Sequence, residues 1–155
     1  MSLRGSTTIK ERIFACLPYL LPLIEGILFF SSYLFQQVPQ LGLAFAPLFP
    51  LIQLYTSVPL AGLIVFFALF FLVVRNESIA HFIRFNTMQA ILIDIVLILC
   101  KYGIGIFGES FAAEILNNTV FIGLVAAVGY SVIQSALGRY AEVPVISEAV
   151  YMQVR

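Results

Sequence analysis

The feature that most constrains this chain is a run without one charged side chain, from Gly26 to Val74. A helix needs about 20 residues to cross roughly 30 Å of hydrocarbon, so this run is longer than a single membrane span. Prolines interrupt it, and a proline ends or kinks a helix. We therefore expect the end of one span, an apolar hairpin or interfacial segment with a short surface helix at 51–55, and then a second span. The prolines are Pro39, Pro47, Pro50 and Pro59.

The composition supports a membrane protein. Hydrophobic residues make up 61% of the 155 residues and charged residues 10%, whereas soluble domains carry about 25% charged residues. A soluble core of this size could not bury so much apolar surface. The net charge is zero, so the overall balance indicates no nucleic acid or other polyanion as a partner.

The hydrophobic pattern predicts an all-α fold, a polytopic bundle of four transmembrane helices that forms one membrane domain over residues 1–155. The expected spans are 13–35, 58–74, 85–107 and 115–138, and 139–155 is expected to be a surface tail. This arrangement leaves seven of the eight Lys and Arg residues on one side, which predicts that both termini are cytoplasmic. The seven are Arg4, Lys10, Arg12, Arg75, Arg84, Arg139 and Arg155.

Three charged residues fall inside the expected spans, namely Glu25, Asp94 and Lys101. A charge at the centre of a bilayer costs about 2.5 to 3.5 kcal/mol on insertion scales, so such residues usually pair or line water. We expect Lys101 to pair with Glu25, Asp94 or both. A structural pair, a polar lining for a translocation path and a proton relay all remain open.

A polar cluster opens the third span and consists of His81, Arg84, Asn86 and Gln89. Arg84 could anchor the helix at anionic headgroups. Asn86 and Gln89 are three residues apart, so both can hydrogen-bond to one neighbouring helix. His81 is expected at the interface, and no residues with metal-ligand spacing surround it.

The fourth span carries a ladder of small residues at intervals of four, which predicts a face for close helix packing. Its members are Gly123, Ala127, Ser131 and Ser135. The two cysteines, Cys16 and Cys100, fall at opposite membrane depths, so we expect free thiols. No hydrolase, phosphate-binding, zinc or dinucleotide motif is present in the sequence. We therefore expect no catalytic residue, no cofactor and no bound metal.

Three stretches resemble the Tic-twenty family, the small four-helix subunit of the protein translocon at the inner envelope of chloroplasts. They are HFIRFNTMQA at 81–90, RIFACLPYLLP at 12–22 and PVISEAV at 144–150. The resemblance implies a role in moving precursor proteins across or into a membrane, within a larger Tic complex and with termini facing the stroma. Without a long targeting presequence, the chain is similar to cyanobacterial or plastid-encoded members.

Three functions are therefore carried forward. The first is a non-enzymatic translocon subunit in the chloroplast inner envelope or a cyanobacterial membrane, with lipid, other subunits and precursor polypeptides as partners. The second is a small-ion or solute carrier that uses Glu25, Asp94 and Lys101. The third is a structural subunit or assembly factor of a membrane complex.

Overall fold

The structure is a computed structural model that describes residues 7–154, and this part of the chain is helical, without strands. Its two longest helices, His81–Gly105 and Phe111–Ala136, pack against the helices of the N-terminal span, and short helices connect these longer ones. The helices are α1 (Ile9–Cys16), α2 (Leu20–Phe30), α3 (Ser32–Gln37), α4 (Pro39–Ala44), α5 (Phe49–Ser57), α6 (Ala61–Leu69), α7 (His81–Gly105), α8 (Phe111–Ala136) and α9 (Ile146–Gln153).

The first membrane-length segment is Ile9–Phe30, in which α1 and α2 are joined by a 3₁₀ turn at Leu17–Tyr19. It starts four residues before the expected boundary because Thr8 caps α1: its hydroxyl accepts from Glu11 N at 3.1 Å, and the Glu11 carboxylate accepts from Thr8 N at 3.4 Å. Such a capping box satisfies backbone donors at a helix start. Helix α2 ends at Phe30, and α3 begins after Ser31, whose hydroxyl donates to the carbonyl of Ile27. Such a bond from a serine to the preceding turn often bends a helix.

The second predicted span, 58–74, corresponds to the helical segment Ala61–Val74 and is preceded by a sharp bend. Helical segments Ala46–Ser57 and Ala61–Val74 meet at a 100° bend. Pro59 explains the break, because the residue before a proline is disfavoured in helical backbone, and Val58 is extended at φ −99° and ψ 120°. Leu60, the residue after Pro59, has a φ of +59°. The expected surface helix at 51–55 is thus part of a longer helix that turns sharply into α6, which continues as a π-helical turn to Val74.

Helices α7 and α8 are 25 and 26 residues long, which corresponds to about 38 Å and about 39 Å at 1.5 Å per residue. Each begins four residues before its predicted span and ends two residues before the predicted end. Ser110 caps α8 by accepting from Ala113 N at 3.2 Å. Among residues 7–154, three helical segments are long and apolar enough to cross a membrane, or four if the bent pair counts as one span.

Helix α7 lies at the centre of the packing. One apolar cluster joins α7 to α2 and α8 and includes Phe30, Leu97 and Phe121. Gly26 permits this approach, since an added Cβ would lie 1.8 Å from a methyl carbon of Leu124. A second cluster joins α7 to Val74 and to the C-terminal tail. The predicted surface tail thus contains a helix, α9, that packs on α7 through the fully buried Val150.

Side-chain contacts identify which residues share an end of the bundle. At one end, Arg84 Nε donates to the Val74 carbonyl at 3.0 Å. His81 and Tyr140 are hydrogen-bonded at 2.8 Å at the same end. Gly138 also lies against the Arg12 side chain there, and we call this the basic end. At the opposite end, Gln37 donates its amide to the Glu114 carboxylate.

Candidate functional site

Two polar groups are buried among the apolar helices. The first, which we call the polar clasp, consists of Tyr19, Asn86, Gln89, Ser131 and Ser135. Tyr19 contributes its hydroxyl from the 3₁₀ turn, donating to Asn86 Oδ1 at 2.7 Å and accepting from Gln89 Nε2 at 2.9 Å. These three side chains are at most 1% exposed. Buried polar groups are costly unless hydrogen-bonded, so these contacts specify how α7 meets the N-terminal segment.

The clasp extends to α8 through two serines. Ser135 donates its hydroxyl to Asn86 Oδ1 at 2.8 Å. Ser131 donates to the carbonyl of Ala127 at 2.7 Å and lies 3.5 Å from Gln89 Nε2. Both serines are fully buried. Asn86 therefore accepts from two different helical segments while its own amide donates to the Phe82 carbonyl at 2.9 Å.

Gln89 also holds the C-terminal tail. Its Nε2 donates to the Ala141 carbonyl at 2.7 Å, and its Oε1 accepts from Val143 N at 3.4 Å. One buried side chain thus supplies partners for two backbone groups that lie between α8 and α9. The tail at 141–143 has no regular structure of its own, so Gln89 satisfies backbone groups that a helix would otherwise satisfy internally.

The predicted cluster at the start of the third span is therefore divided in the structure. Asn86 and Gln89 enter the clasp, whereas His81 bonds to Tyr140. Arg84 is 6% exposed and donates to the Val74 carbonyl, so its buried side chain is held by protein rather than extended toward headgroups. Sequence reasoning missed Tyr19. The available signal was a phenolic hydroxyl inside an apolar segment, since such a group needs a hydrogen-bond partner when buried.

The small-residue ladder of α8 is also divided. Ser131 and Ser135 point inward, but a Cβ added at Gly123 would meet no atom within 4 Å, and Ala127 is half-buried. Four residues advance about 40° beyond one helical turn. Over three such intervals, from Gly123 to Ser135, the side-chain direction therefore rotates by about a third of the helix circumference. The described chain uses the serine end for internal packing and leaves the glycine end open.

The second buried polar group, which we call the carboxyl pair, is Glu25 on α2 and Asp94 on α7. They are 6% and 1% exposed. The Asp94 carboxyl lies within hydrogen-bonding reach of Glu25, and Tyr55 donates its hydroxyl to Glu25 Oε1. One oxygen of each acid, Glu25 Oε2 and Asp94 Oδ1, is buried and has no hydrogen-bond partner among residues 7–154. Gly62 allows α6 to lie against this group, since a Cβ there would clash with the Glu25 carboxylate.

Lys101 does not form the expected ion pair. Its ammonium lies 4.1 Å from the centroid of the Phe29 ring, a cation–π contact. No ion pair between Lys101 and either acid occurs in the described chain. Seven residues separate Asp94 from Lys101, about 10 Å along the helix axis, so pairing would require the lysine to fold back. A cavity of about 580 Å³ is lined by both Glu25 and Lys101.

A larger apolar groove of about 1150 Å³ lies between the N-terminal segment and helices α5 and α6. Ile24, Leu54 and Ile64 contribute to its walls, and Lys10 and Glu11 contribute where it approaches the basic end. Such a groove can accept an acyl chain or an apolar helix. Cys16 and Cys100 are free thiols, and no group of three or more His, Cys, Asp or Glu within 7–154 is arranged to hold a metal ion.

Comparisons with known proteins identify the family. The family described as "Chloroplast import apparatus Tic20-like" matches residues 8–150. A "Tic20 family protein" of Synechocystis sp. is 46% identical over 151 residues, covering 94% of both chains. "Protein TIC 20-II, chloroplastic" of Arabidopsis thaliana is 34% identical, covering 96% of this chain and 74% of that one. "Tic20 family protein Ycf60" of Pyropia yezoensis is 33% identical, covering 97% and 78% respectively.

These relatives come from a cyanobacterium, a plant and a red alga. The match extends from the cap of α1 into α9 and includes both buried polar groups. The apolar helices suit a membrane location. The chain belongs to the Tic20 family, whose members are associated with protein translocation in chloroplast import.

Proposed function

We propose that this chain is a non-enzymatic membrane subunit of a protein translocon and acts within a larger complex. The observation that carries the proposal is the family match over residues 8–150, which includes every long helix of the fold. The clasp supports a scaffold role rather than catalysis, because its polar atoms are engaged in holding helices and tail together. The membrane would be the chloroplast inner envelope or its cyanobacterial equivalent.

We further propose four passes with both termini on the cytoplasmic or stromal side. Val74, His81 and Gly138 share the basic end with Arg12, which is the arrangement that an even number of passes requires. Lys10, Arg75 and Arg139 lie in the adjoining segments, as the positive-inside rule favours. Arg4 and Arg155, which complete the predicted set, lie outside the described residues.

A reporter attached to each end tests the topology. Protease-accessible tags placed before residue 1 and after residue 155 should be digested from the same side of sealed membrane vesicles. A third tag, inserted in the 106–110 loop, should be digested only from the opposite side. Terminal tags that are digested from different sides would contradict the four-pass arrangement.

The apolar groove supports a direct contact with precursors. An apolar segment in transit could lie between α1–α2 and α5–α6, where Ile64 and Leu54 are exposed. Passage of a whole chain would need further copies or partner subunits, because the helices of a bundle fill their own interior. The open face of α8 around Gly123 is the site that we propose for one such neighbour.

Site-specific photo-crosslinking tests the translocon role. A photoreactive residue at Ile64 should crosslink to a precursor arrested during import, and the full-length chain should copurify with other translocon subunits after extraction in mild detergent. The same residue at Ile122, which is exposed on α8 outside the groove, is the matched position expected to crosslink to lipid or neighbouring subunits instead. Equal precursor crosslinking at both positions, or a protein that always purifies alone, would argue against the proposal.

A small-ion carrier is the second candidate, favoured by the unpartnered oxygens of Glu25 and Asp94. Purified chain in liposomes should then move protons or monovalent cations, and Asp94→Asn should abolish that flux. If liposomes that contain the parent protein pass these ions no faster than protein-free liposomes, this candidate is excluded and the translocon proposal is unaffected.

A further inference from the structure

The carboxyl pair has a chemistry that a scaffold role does not require. Glu25 and Asp94 come from two different helices, and both are more than nine-tenths buried. The two helices meet at this depth, since a Cβ added to Gly26 would lie 3.8 Å from a methyl carbon of Leu97, and the Asp94 carboxyl lies within hydrogen-bonding reach of Glu25. Within residues 7–154, the only other hydrogen bond to either carboxyl comes from the Tyr55 hydroxyl, which donates to Glu25 Oε1. Glu25 Oε2 and Asp94 Oδ1 have no hydrogen-bond partner in the part of the chain that the structure describes, although buried polar atoms normally have one.

A shared proton would satisfy both acids. Two ionised carboxylates so close together repel each other strongly when water is excluded. If one acid carries a proton, that proton forms a hydrogen bond to the other acid, and the pair holds one negative charge instead of two. This charge is shared with the Tyr55 hydroxyl, which already donates to Glu25.

Among the described residues that line the neighbouring cavity, one, Lys101, is a cation that could replace the proton. Besides Glu25 and Lys101, the titratable groups that line this cavity are Tyr55 from α5 and Tyr102 from α7. Helix α6 presents the backbone of Gly62 to Glu25, and α8 presents the apolar Leu124 near Gly26. Lys101 rests on the Phe29 ring, and the cavity of about 580 Å³ that it lines also reaches Glu25.

We propose that Glu25 and Asp94 form a proton-binding site in which one shared proton links α2 to α7, and that Lys101 moves from Phe29 toward Glu25 when this proton is lost. The proton leaves to water through the cavity. Loss of the proton leaves two negative charges on the pair, and the Lys101 ammonium then takes the place of the proton, so that the two acids and the lysine together carry the same single negative charge as the protonated pair. The link between α2 and α7 is therefore present at lower pH and is replaced by the lysine contact as pH rises.

Labelling with dicyclohexylcarbodiimide, which reacts with protonated but not ionised carboxyl groups, tests the site. Full-length protein in lipid nanodiscs is labelled across a series from neutral to alkaline pH, and peptides are located by mass spectrometry. We expect Glu25 or Asp94 to be labelled at neutral pH and to lose labelling at alkaline pH. The exposed Glu109 should stay unlabelled throughout and serves as the control. Absence of label on both buried acids at neutral pH would overturn the proposal.

Three variants separate sharing from simple burial. Asp94→Asn should greatly reduce labelling of Glu25, and Glu25→Gln should reduce that of Asp94, because an amide can donate to an ionised carboxylate in place of the proton. Undiminished labelling in both variants would show that each acid is protonated independently. Lys101→Met should keep the neutral-pH label and shift its loss to higher pH; an unshifted profile would overturn the lysine step.

A fixed ion pair gives a different result. If Lys101 already neutralises the acids, the parent protein would stay unlabelled at neutral pH, and labelling would appear only in Lys101→Met. The proton site does not depend on the translocon role. Its failure in this assay would leave precursor crosslinking at Ile64 unchanged, and failure of the crosslinking would leave the carbodiimide profile unchanged.

Discussion

Replacing Gln89 with leucine should release the C-terminal tail without destroying the bundle. Leucine has a similar volume and suits the apolar surroundings, so the packing of α7 should persist. The substitution removes the hydrogen bonds to the Ala141 carbonyl, the Val143 amide and the Tyr19 hydroxyl, together with the longer contact to Ser131 Oγ. The two hydroxyls keep their bonds to Asn86 and to the Ala127 carbonyl, so the groups left without this partner and without another are the two backbone groups of the tail.

The size of the effect follows from those two groups. A buried donor or acceptor left without a partner costs about 1 to 3 kcal/mol, whereas hydrogen bonds measured within membrane proteins average about 0.6 kcal/mol. Because the tail can open and expose its backbone to water, we expect each of the two backbone groups to cost about 1 kcal/mol, the lower end of the range for an unpartnered buried group. The expected cost is about 2 kcal/mol, a roughly thirtyfold rise in the population of the open tail.

Limited trypsin digestion measures this population, because Arg139 is exposed and precedes the residues that Gln89 holds. In Gln89→Leu, cleavage after Arg139 should accelerate by about thirtyfold if opening equilibrates before cleavage. Cleavage after Arg75 should remain unchanged in the same sample. Gln134→Leu is the matched control, since no hydrogen bond from the Gln134 side chain is found among residues 7–154. A cleavage rate equal to that of the parent would show that Gln89 does not restrain the tail.

Two further perturbations test the packing. Gly26→Val should destabilise the detergent-solubilised protein by about 1 to 3 kcal/mol in thermal unfolding, because the new side chain meets Leu124. Gly123→Ala places its methyl group in open space and should be neutral or slightly stabilising. A Gly123→Ala protein that is less stable than the Gly26→Val protein would contradict the packing. A double-mutant cycle of Tyr19→Phe and Asn86→Leu should give a coupling of about 0.6 to 1.7 kcal/mol, whereas strict additivity would mean that their hydrogen bond contributes nothing.

Much of the fold could be predicted because lipid leaves few choices. Apolar length and proline positions predicted where membrane helices would occur, since unsatisfied backbone groups are costly in hydrocarbon. The starts of α1, α7 and α8 were placed four residues late because hydropathy ignores polar first turns. The capping box at Thr8 was visible in the sequence, as Thr-x-x-Glu, and would have corrected the first of these starts.

The site was harder to predict because it depends on which faces of the helices meet. Spacing shows that Asn86 and Gln89 share a face, but only the packing shows that Tyr19 and the tail occupy it. Charge alone suggested that Lys101 would pair with an acid. The aromatic ring of Phe29 provides another contact for the Lys101 ammonium. The sequence does not give the distances from Lys101 to the acids and to this ring, so it cannot decide between an ion pair and a cation–π contact.

The bend at Pro59 has a consequence for the surrounding lipid. Beyond it, Ala61–Val74 is only about 21 Å long at 1.5 Å per residue, against roughly 30 Å of hydrocarbon in an average bilayer. If this helix crosses the bilayer by itself, as the proposed four passes require, the lipids beside it must shorten or tilt their tails to match its length. A locally thinned leaflet would lower the barrier to moving polar peptide groups across the bilayer beside α6.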